Sequence, residues 1–361
     1  MASQARCIVF FGTYSSGEDE GVYVYELSRE TGELTKLATS GGIVNPSFVV
    51  VSPDGRFLYA VAETASTGGR PGGAVAAFAI DPETFALTKI NEQSAMGRGP
   101  CHIDIDATGR MLLVANYSEG NIASYPLKEN GSMDPAASTI QHEGSSVNEK
   151  RQEQAHAHSI NVDPTNRFAF ACDLGTDEVL AYRLNVATGA MTKHDTYATK
   201  TPPGAGPRHF AFHPGGRFAY AINELDNTMI AYAYDGERGV LKQLQVITTL
   251  PDDFTDTSHC ADVHVSPNGR FVYGSNRGHD SLAIFAIDPD KGTLSTVGYE
   301  STRGRVPRGF NLDPSGAVLL AANQNSDNVV TFHVDEQTGE IHPTGHEIVL
   351  PKPVCVKVIE V

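Results

Sequence analysis

The sequence contains no tryptophan, only five cysteines and no apolar run long enough to cross a membrane. An odd number of widely spaced cysteines, without a CxxC pair, indicates neither a disulfide framework nor a zinc ribbon. They are typical of small buried residues in a reducing compartment: Cys7, Cys101, Cys172, Cys260 and Cys355. The first apolar run, residues 7–11, is too short for the core of a secretory signal, so we expect a cytoplasmic protein.

Basic residues are also scarce. The chain has 27 Lys and Arg against 43 Asp and Glu, which gives a formal net charge of −16. This balance repels the phosphate backbone of a nucleic acid. We therefore expect neither a nucleic-acid nor a membrane partner, and a monomer or a small homo-oligomer.

Several short enzyme motifs are missing as well. The sequence has no GxSxG elbow, no GxxxxGK[ST] phosphate loop, no HExxH pair and no EF-hand pattern. Their absence disfavours serine-triad chemistry and zinc chemistry built on a helix.

The sequence is rich in glycine (35) and proline (20), and it repeats itself. One segment recurs roughly every 50 residues, a period typical of propeller blades. Its six copies are SPDGRFLYAVAE (52–63), DATGRMLLVANY (106–117), DPTNRFAFACDL (163–174), HPGGRFAYAINE (213–224), SPNGRFVYGSNR (266–277) and DPSGAVLLAANQ (313–324). A turn that opens a further strand recurs between them, at Gly32, Gly131, Gly189, Gly239, Gly292 and Gly339, with a degenerate copy at Phe85.

Each repeat predicts four antiparallel strands, which we name A to D, joined by tight turns. The unit is one propeller blade, and the turn motif occurs seven times. The chain starts at a strand B, residues 7–14, and ends at a strand A, residues 353–360. We therefore predict an all-β protein: residues 1–361 form a single seven-bladed propeller, closed when the last strand pairs with the first blade.

Aligning the repeats separates architecture from function. The start of strand A and the end of strand B lie at the same end of an antiparallel blade, here the mouth of the central channel. We call the second residue of strand A the start position; it holds Ser47, Cys101, His158, Arg208, Ala261, Arg308 and Val354. We call the last residue of each repeated segment the end position; it holds Glu63, Tyr117, Leu174, Glu224, Arg277 and Gln324.

Equivalent blades need equivalent structural residues, so the polar residues that differ between blades are the functional candidates. They include His102, His156, His158, Arg208, His209, Glu224, Arg277 and Arg308. A cationic mouth on an acidic protein predicts an anionic small-molecule ligand. By contrast, an Asn or Asp precedes the end position in five blades and is expected to cap the following turn.

Structural alternatives exist for several candidates. His156 and His158, two residues apart on a strand, face one side and are a metal pair, a catalytic pair or channel histidines. Arg208 and Glu224 are either functional or a structural ion pair. Arg308 belongs either to the site or to a solvated loop cluster with Arg303 and Arg305.

The same residues carry a family resemblance that runs through the whole chain. Matching stretches include GTYS (12–15), GPCHID (99–104), ANYSEGN (115–121), RQEQAHAHS (151–159), GAGPRHFAFHP (204–214), SNRG (275–278) and PRGF (307–310). The sequence resembles the seven-bladed lactonase family, which includes propeller-type 6-phosphogluconolactonases and carboxymuconate lactonizing enzymes. The resemblance implies a metal-free, cofactor-free site built from His158 or His156, Arg208, Glu224 and Arg277.

We therefore predict hydrolysis of a small anionic sugar lactone, 6-phosphogluconolactone, a reaction of the pentose phosphate pathway. The predicted catalytic group is His158, His156, Glu224 and Arg208, with His158 or Glu224 as acid and base. The predicted substrate-binding residues are Arg277, His102, His209, Arg308 and Arg151. The alternatives are a carboxymuconate cycloisomerase, a calcium-dependent propeller lactonase that uses the Asn and Asp ring, and a WD40-like scaffold, which the missing tryptophan disfavours.

Overall fold

A computed structural model describes residues 5–15, 20–67 and 69–361. Within these ranges the chain forms strands and turns without any helix. The strands make seven four-stranded sheets and one small two-stranded sheet, and consecutive strands of each blade pair antiparallel. The predicted all-β, seven-bladed propeller is confirmed. Residues 1–4, on which the expectation about a secretory signal partly depends, lie outside the described residues.

The strands follow the chain from blade to blade. Blade 1 contains β1 (Cys7–Thr13), β2 (Val22–Leu27) and β3 (Leu34–Ser40). Blade 2 contains β4 (Val49–Val51), β5 (Phe57–Ala62), β8 (Ala74–Ile80) and β9 (Leu87–Ser94), and the small hairpin of β6 (Ser66–Thr67) and β7 (Arg70–Pro71) lies between β5 and β8 in the chain. Blade 3 contains β10 (Pro100–Ile105), β11 (Met111–Asn116), β12 (Asn121–Pro126) and β13 (Ser138–Gln141). Blades 4 and 5 contain β14 (Ala157–Val162), β15 (Phe168–Asp173), β16 (Glu178–Asn185), β17 (Ala190–Lys200); and β18 (Pro207–Phe212), β19 (Phe218–Asn223), β20 (Thr228–Asp235), β21 (Val240–Thr248). Blades 6 and 7 contain β22 (His259–Val265), β23 (Phe271–Arg277), β24 (Ser281–Ile287), β25 (Leu294–Ser301); and β26 (Pro307–Leu312), β27 (Val318–Asn323), β28 (Asn328–Val334), β29 (Ile341–Val349).

The last strand, β30 (Pro353–Glu360), closes the ring. It pairs antiparallel with β1, from Cys7 opposite Glu360 to Gly12 opposite Cys355, and so supplies the innermost strand of blade 1. This pairing occupies an edge of β1 that would otherwise be open to other chains. The predicted closure by the two ends of the chain is confirmed.

The repeated glycine and aromatic residues connect neighbouring blades. Gly292 of blade 6 has a φ of +71°, and a Cβ there would come 2.2 Å from the Phe218 ring of blade 5. Two residues along the same strand, the Tyr220 hydroxyl donates to the Gly292 carbonyl at 3.2 Å. The same glycine–phenylalanine contact joins blades 6 and 7 at Gly339 and Phe271. The period in the sequence therefore reflects contacts between blades.

A β-bulge places the site residues. Strand A of blades 3, 4, 5 and 7 shifts register at its second residue, between Pro100 and His102 in blade 3 for example. The bulged residue is the one at the start position: Cys101, His158, Arg208 and Arg308. A bulge bends the strand, leaves one residue unpaired in the ladder and re-aims its side chain, so the residue at the start position can differ between blades while the rest of the strand keeps its pairing.

The described part of the chain includes no helix long and apolar enough to span a membrane.

Candidate active site

A cavity of ≈ 300 Å³ lies at the mouth of the central channel; we call it the mouth cavity. It is lined by residues from six blades and from the segment before β14: Glu63, Cys101, Tyr117, Arg151, His158, Glu224, His259, Arg277 and Arg308. Most of these residues occupy the start or the end position of their blade. Arg151, His158, Glu224, Arg277 and Arg308, all predicted site residues, are therefore brought together.

The Glu224 carboxylate is the centre of the polar network. Arg208 Nε donates to its Oε2 at 2.9 Å, and Arg277 Nη2 lies 2.8 Å from the same oxygen. Arg151 donates to Oε1. Glu224 is 4% exposed, so three guanidinium groups share one buried carboxylate. Charge-assisted bonds of this kind are the strong ones in proteins.

This arrangement keeps Glu224 ionised. Burial alone would raise the pKa of its carboxyl, but Arg277 and Arg208 outweigh burial and hold that pKa well below its ordinary value. A carboxylate that binds three cations is a poor proton acceptor. The geometry therefore favours Glu224 as an electrostatic anchor and disfavours it as the base.

His158 faces the same carboxylate from the next blade. Its Nε2 lies 3.9 Å from Glu224 Oε2, and its Nδ1 lies 3.8 Å from the Cys101 Sγ. Burial and then the positive charge of Arg208 hold the pKa of His158 well below its ordinary value. The imidazole is therefore neutral at neutral pH and has a nitrogen available to take a proton.

His156, the other predicted histidine, is directed elsewhere. It precedes strand A, its Nδ1 lies 3.0 Å from the Tyr117 carbonyl, and its Nε2 lies 3.3 Å from Glu153. The expectation that His156 and His158 share one face of a regular strand is wrong, because β14 begins at Ala157 and is bulged at His158. His156 stacks on the Tyr117 ring at 4.5 Å and does not line the mouth cavity.

Three further predicted residues lie below the mouth cavity rather than in its wall. Arg208 is 2% exposed and lies behind Glu224. His209 and His102 pack with their rings 5.3 Å apart, and His102 also packs on Phe48 at 4.2 Å. None of the three lines the cavity. Arg208 and Glu224 do form the ion pair that the sequence allowed.

Arg308 and Glu63 both line the mouth cavity, and both contact Tyr14. The Arg308 guanidinium lies over the Tyr14 ring at 5.4 Å, and the Tyr14 hydroxyl is 3.0 Å from Glu63 Oε2. Within the described ranges Arg308 has no hydrogen bond or ion pair. It is only half-buried and lines the cavity, unlike Arg305, which is exposed and donates to the Asn325 carbonyl. Arg308 is thus separate from the exposed loop arginines.

The expectation that the Asn and Asp ring caps the backbone of the following turn holds at Asp173, whose Oδ1 accepts from the N–H groups of Gly175 and Thr176. Three asparagines of the ring donate instead to the segment after strand D of the preceding blade. Asn116 Nδ2 donates to the Ala95 carbonyl at 2.8 Å, Asn276 Nδ2 to the Thr249 carbonyl at 2.8 Å, and Asn323 Nδ2 to the Thr302 carbonyl at 3.0 Å. Over the described residues, no group of three or more His, Cys, Asp or Glu side chains is arranged to hold a metal ion. The ring is committed to the backbone rather than to a common centre.

Sequence reasoning missed four residues of the mouth cavity: Glu63, Cys101, Tyr117 and His259. The position of three of them in the repeat indicated that they lie at the mouth. Glu63 and Tyr117 occupy the end position of their blades, and Cys101 occupies the start position of blade 3, as His158 does in blade 4. His259 lies two residues before the start position of blade 6, where blade 4 has His156, but the neighbouring blades 5 and 7 have Gly206 and Val306. Only the folded chain shows that its ring lies beside Glu224, with Nδ1 3.4 Å from the Glu224 carbonyl.

Comparisons with known proteins agree with this fold. The family model described as "Lactonase, 7-bladed beta-propeller" matches residues 8–358. The 6-phosphogluconolactonase of Bacillus subtilis (strain 168) is 37% identical over 308 residues, which are 85% of this chain and 85% of that protein. The 6-phosphogluconolactonase of Formosa agariphila is 36% identical over 310 residues, 84% of this chain and 86% of that protein.

Solved structures give the same result. The periplasmic gluconolactonase of Pseudomonas aeruginosa is 33% identical and superposes with a TM-score of 0.91 over 98% of this chain and 99% of that chain. A protein from Lactobacillus plantarum is 30% identical, with a TM-score of 0.88 over 99% of this chain and 100% of that one. The chain therefore belongs to the seven-bladed β-propeller lactonase family.

Proposed function

We propose that this chain hydrolyses 6-phosphogluconolactone to 6-phosphogluconate, a step of the pentose phosphate pathway. Membership of the lactonase family and relatives named 6-phosphogluconolactonase support the class of reaction. The main observation in favour of an anionic substrate is the charge of the mouth cavity. Arg151, Arg277 and Arg308 outnumber the carboxylates of Glu63 and Glu224 in its wall, on a protein whose net charge is −16.

Ring opening needs a base for the attacking water. In the proposal, neutral His158 takes a proton from water as the water oxygen bonds to the lactone carbonyl carbon and the carbonyl electrons move to oxygen. His158 Nε2 lies 3.9 Å from Glu224 Oε2, so the Glu224 carboxylate stabilises the positive charge of the resulting imidazolium. When the ring C–O bond breaks, His158 returns the proton to the leaving alkoxide.

Donors for the oxyanion are already in place. Arg277 and Arg151 reach the cavity and are both held by Glu224, so little reorganisation is needed when negative charge develops. Arg277 Nη2 is fixed further by the Cys260 carbonyl at 2.7 Å. In this mechanism guanidinium groups supply the positive charge that a metal ion supplies in other lactonases, so the proposal needs no metal or cofactor.

The proposed function is tested by substrate comparison. The protein is incubated with 6-phosphogluconolactone, unphosphorylated gluconolactone and carboxymuconate, each with and without a chelator. We expect rapid hydrolysis of the phosphorylated lactone that the chelator leaves unchanged. Hydrolysis at the spontaneous rate would refute the proposal, turnover of carboxymuconate would favour the cycloisomerase, and loss of activity with chelator would favour a calcium-dependent enzyme.

Arg308 predicts a preference for the phosphorylated substrate. Arg308→Gln is expected to raise the KM for 6-phosphogluconolactone about ten- to a hundredfold, because a hydrogen bond to a charged group contributes roughly 1.5–3 kcal/mol. The KM for unphosphorylated gluconolactone should change little. The matched control is Arg305→Gln, whose side chain is exposed and outside the cavity. Equal effects on both lactones would place the phosphate elsewhere.

We also propose that the protein acts in the cytoplasm, with the small substrate as its only partner. All five cysteines are buried and unpaired, which suits a reducing compartment.

A further inference from the structure

The buried imidazole of His209 lies between two charged groups that come from neighbouring blades. Arg208 Nη1 lies 3.1 Å from His209 Nε2, and His209 Nδ1 lies 2.7 Å from Asp262 Oδ1. The three side chains are 2%, 6% and 10% exposed. Arg208 in turn donates its Nε to Glu224, so a continuous chain of contacts runs from Asp262 to the wall of the mouth cavity.

The chemistry of the three groups determines where the His209 proton lies. A guanidinium can only donate, so His209 Nε2 must accept from Arg208. The proton of a neutral ring is then on Nδ1, where it donates to the Asp262 carboxylate. If the proton moved to Nε2, two donors would face each other at 3.1 Å in a buried place, and the guanidinium would have to turn.

Asp262 is itself firmly held. The backbone N–H of Val263 donates to its Oδ1 at 3.0 Å, the N–H of Phe310 to its Oδ2 at 3.3 Å, and His264 Nε2 lies 3.2 Å from that same oxygen. Burial would raise the pKa of this carboxyl, but His264 and His209 outweigh burial and hold the pKa well below its ordinary value. The acceptor for His209 Nδ1 is therefore a fixed, ionised carboxylate.

The groups around His209 also keep its ring neutral. It faces Arg208 and Asp262 directly, the His102 ring at 5.3 Å, the His158 ring at 5.5 Å and the Phe48 ring at 5.8 Å. Arg308 adds a more distant positive charge. Burial and then Arg208 lower the pKa of His209 to about 4. Above about pH 5 the ring therefore accepts from Arg208 rather than repelling it.

We propose that His209 and Asp262 are positioning residues: Asp262 fixes the Nδ1–H tautomer of His209, which directs the Arg208 guanidinium at Glu224. This role replaces direct substrate binding by His209, whose ring does not line the mouth cavity. The inference rests on the proposed function only for its kinetic readout. It predicts that changes at His209 affect kcat, whereas loss of a substrate contact would affect KM.

Two substitutions at His209 separate its contacts. In His209→Asn the shorter amide can still donate to Asp262 but cannot accept from Arg208, whereas in His209→Gln the longer side chain carries an acceptor to Arg208. We expect kcat to fall roughly ten- to a hundredfold in His209→Asn with KM within about threefold, because misplaced charges weaken transition-state contacts. His209→Gln should recover at least about fivefold of that loss. Equal losses in the two variants, or a change confined to KM, would overturn the positioning role.

A spectroscopic test is independent of lactone hydrolysis. In protein with ¹⁵N-labelled histidine, the signal absent from His209→Gln identifies His209. We expect the Nδ1–H tautomer in the native protein, unchanged from pH 8 to pH 5. In Asp262→Asn the acceptor of the Nδ1 proton changes from a carboxylate to a neutral amide, so we expect that proton signal to shift upfield. The control Asp195→Asn, at an exposed position, should leave it unchanged.

The two possible failures can be distinguished. An Nε2–H tautomer in the native protein, or no shift in Asp262→Asn, would overturn the inference even if the lactone is hydrolysed. A native protein that hydrolyses no lactone would refute the proposed function. The ¹⁵N measurement of the His209 tautomer would still test the positioning role, because it does not depend on lactone hydrolysis.

Discussion

Glu224→Gln is expected to destabilise the protein and to abolish most of its activity. The substitution keeps the size of the side chain but removes the one negative charge shared by Arg151, Arg208 and Arg277. Removing one partner of a buried ion pair leaves uncompensated charge and costs about 3–5 kcal/mol of stability. Arg277 and Arg151 lose their common anchor, so kcat/KM should fall by at least about a hundredfold.

The measurements for Glu224→Gln are urea unfolding and initial rates on 6-phosphogluconolactone. Glu237→Gln in the same blade is the matched control, because Glu237 pairs with Arg167 at 3.1 Å but is 86% exposed. Exposed pairs contribute at most about 1 kcal/mol, so the control should resemble the native protein. Stability within about 1 kcal/mol of native for Glu224→Gln would contradict the role of Glu224 as anchor.

The pH dependence of stability follows from the same contacts. The pKa of Glu224 is depressed in the folded protein, mainly by Arg277 and Arg208 acting against burial. Its contribution is therefore fully present above the pKa of the unfolded chain, about 4.3, and is lost as the pH falls toward the lower folded value. Glu224→Gln should lack this part of the acid-induced loss of stability.

The fold was predictable from the sequence because contacts between blades repeat. The glycine of the strand D turn must fit against an aromatic ring of the preceding blade, as Gly292 fits against Phe218, so both residues recur with the blade. The closure of the ring was also predictable, because blade 1 begins without a strand A of its own and an extra strand A follows blade 7. The period of the repeat and the pattern of strands are enough to predict both features.

The site was predictable as a set of positions but not as a set of contacts. Alignment of the blades placed His158, Glu224 and Arg277 at the mouth, where they are found. It did not reveal the bulge at the start position, which directs His158 and not His156 into the cavity. Nor did it reveal that Arg208 lies behind Glu224, because side-chain direction depends on packing between blades.

Removal of His158 is expected to have the second large effect. If its imidazole is the base, His158→Ala should lower kcat about 10²- to 10⁴-fold, the usual contribution of general acid–base catalysis. His156→Ala should lose far less, because both ring nitrogens of His156 lie near Tyr117 and Glu153 rather than in the cavity. His213→Ala, in a hairpin turn at the opposite end of strand A, is the matched control.

The pH profile provides an independent check on His158. An ordinary imidazole would be half protonated near pH 6.5, and a base of that pKa would lose activity between pH 7.5 and 6. Burial and then Arg208 hold the pKa of His158 well below that value, so kcat/KM, corrected for spontaneous hydrolysis, should stay level over this range. The neutral ring is the form that accepts a proton, and protonation sets in only at lower pH. A fall with a midpoint near pH 6.5, or full activity in His158→Ala, would show that another group takes the proton.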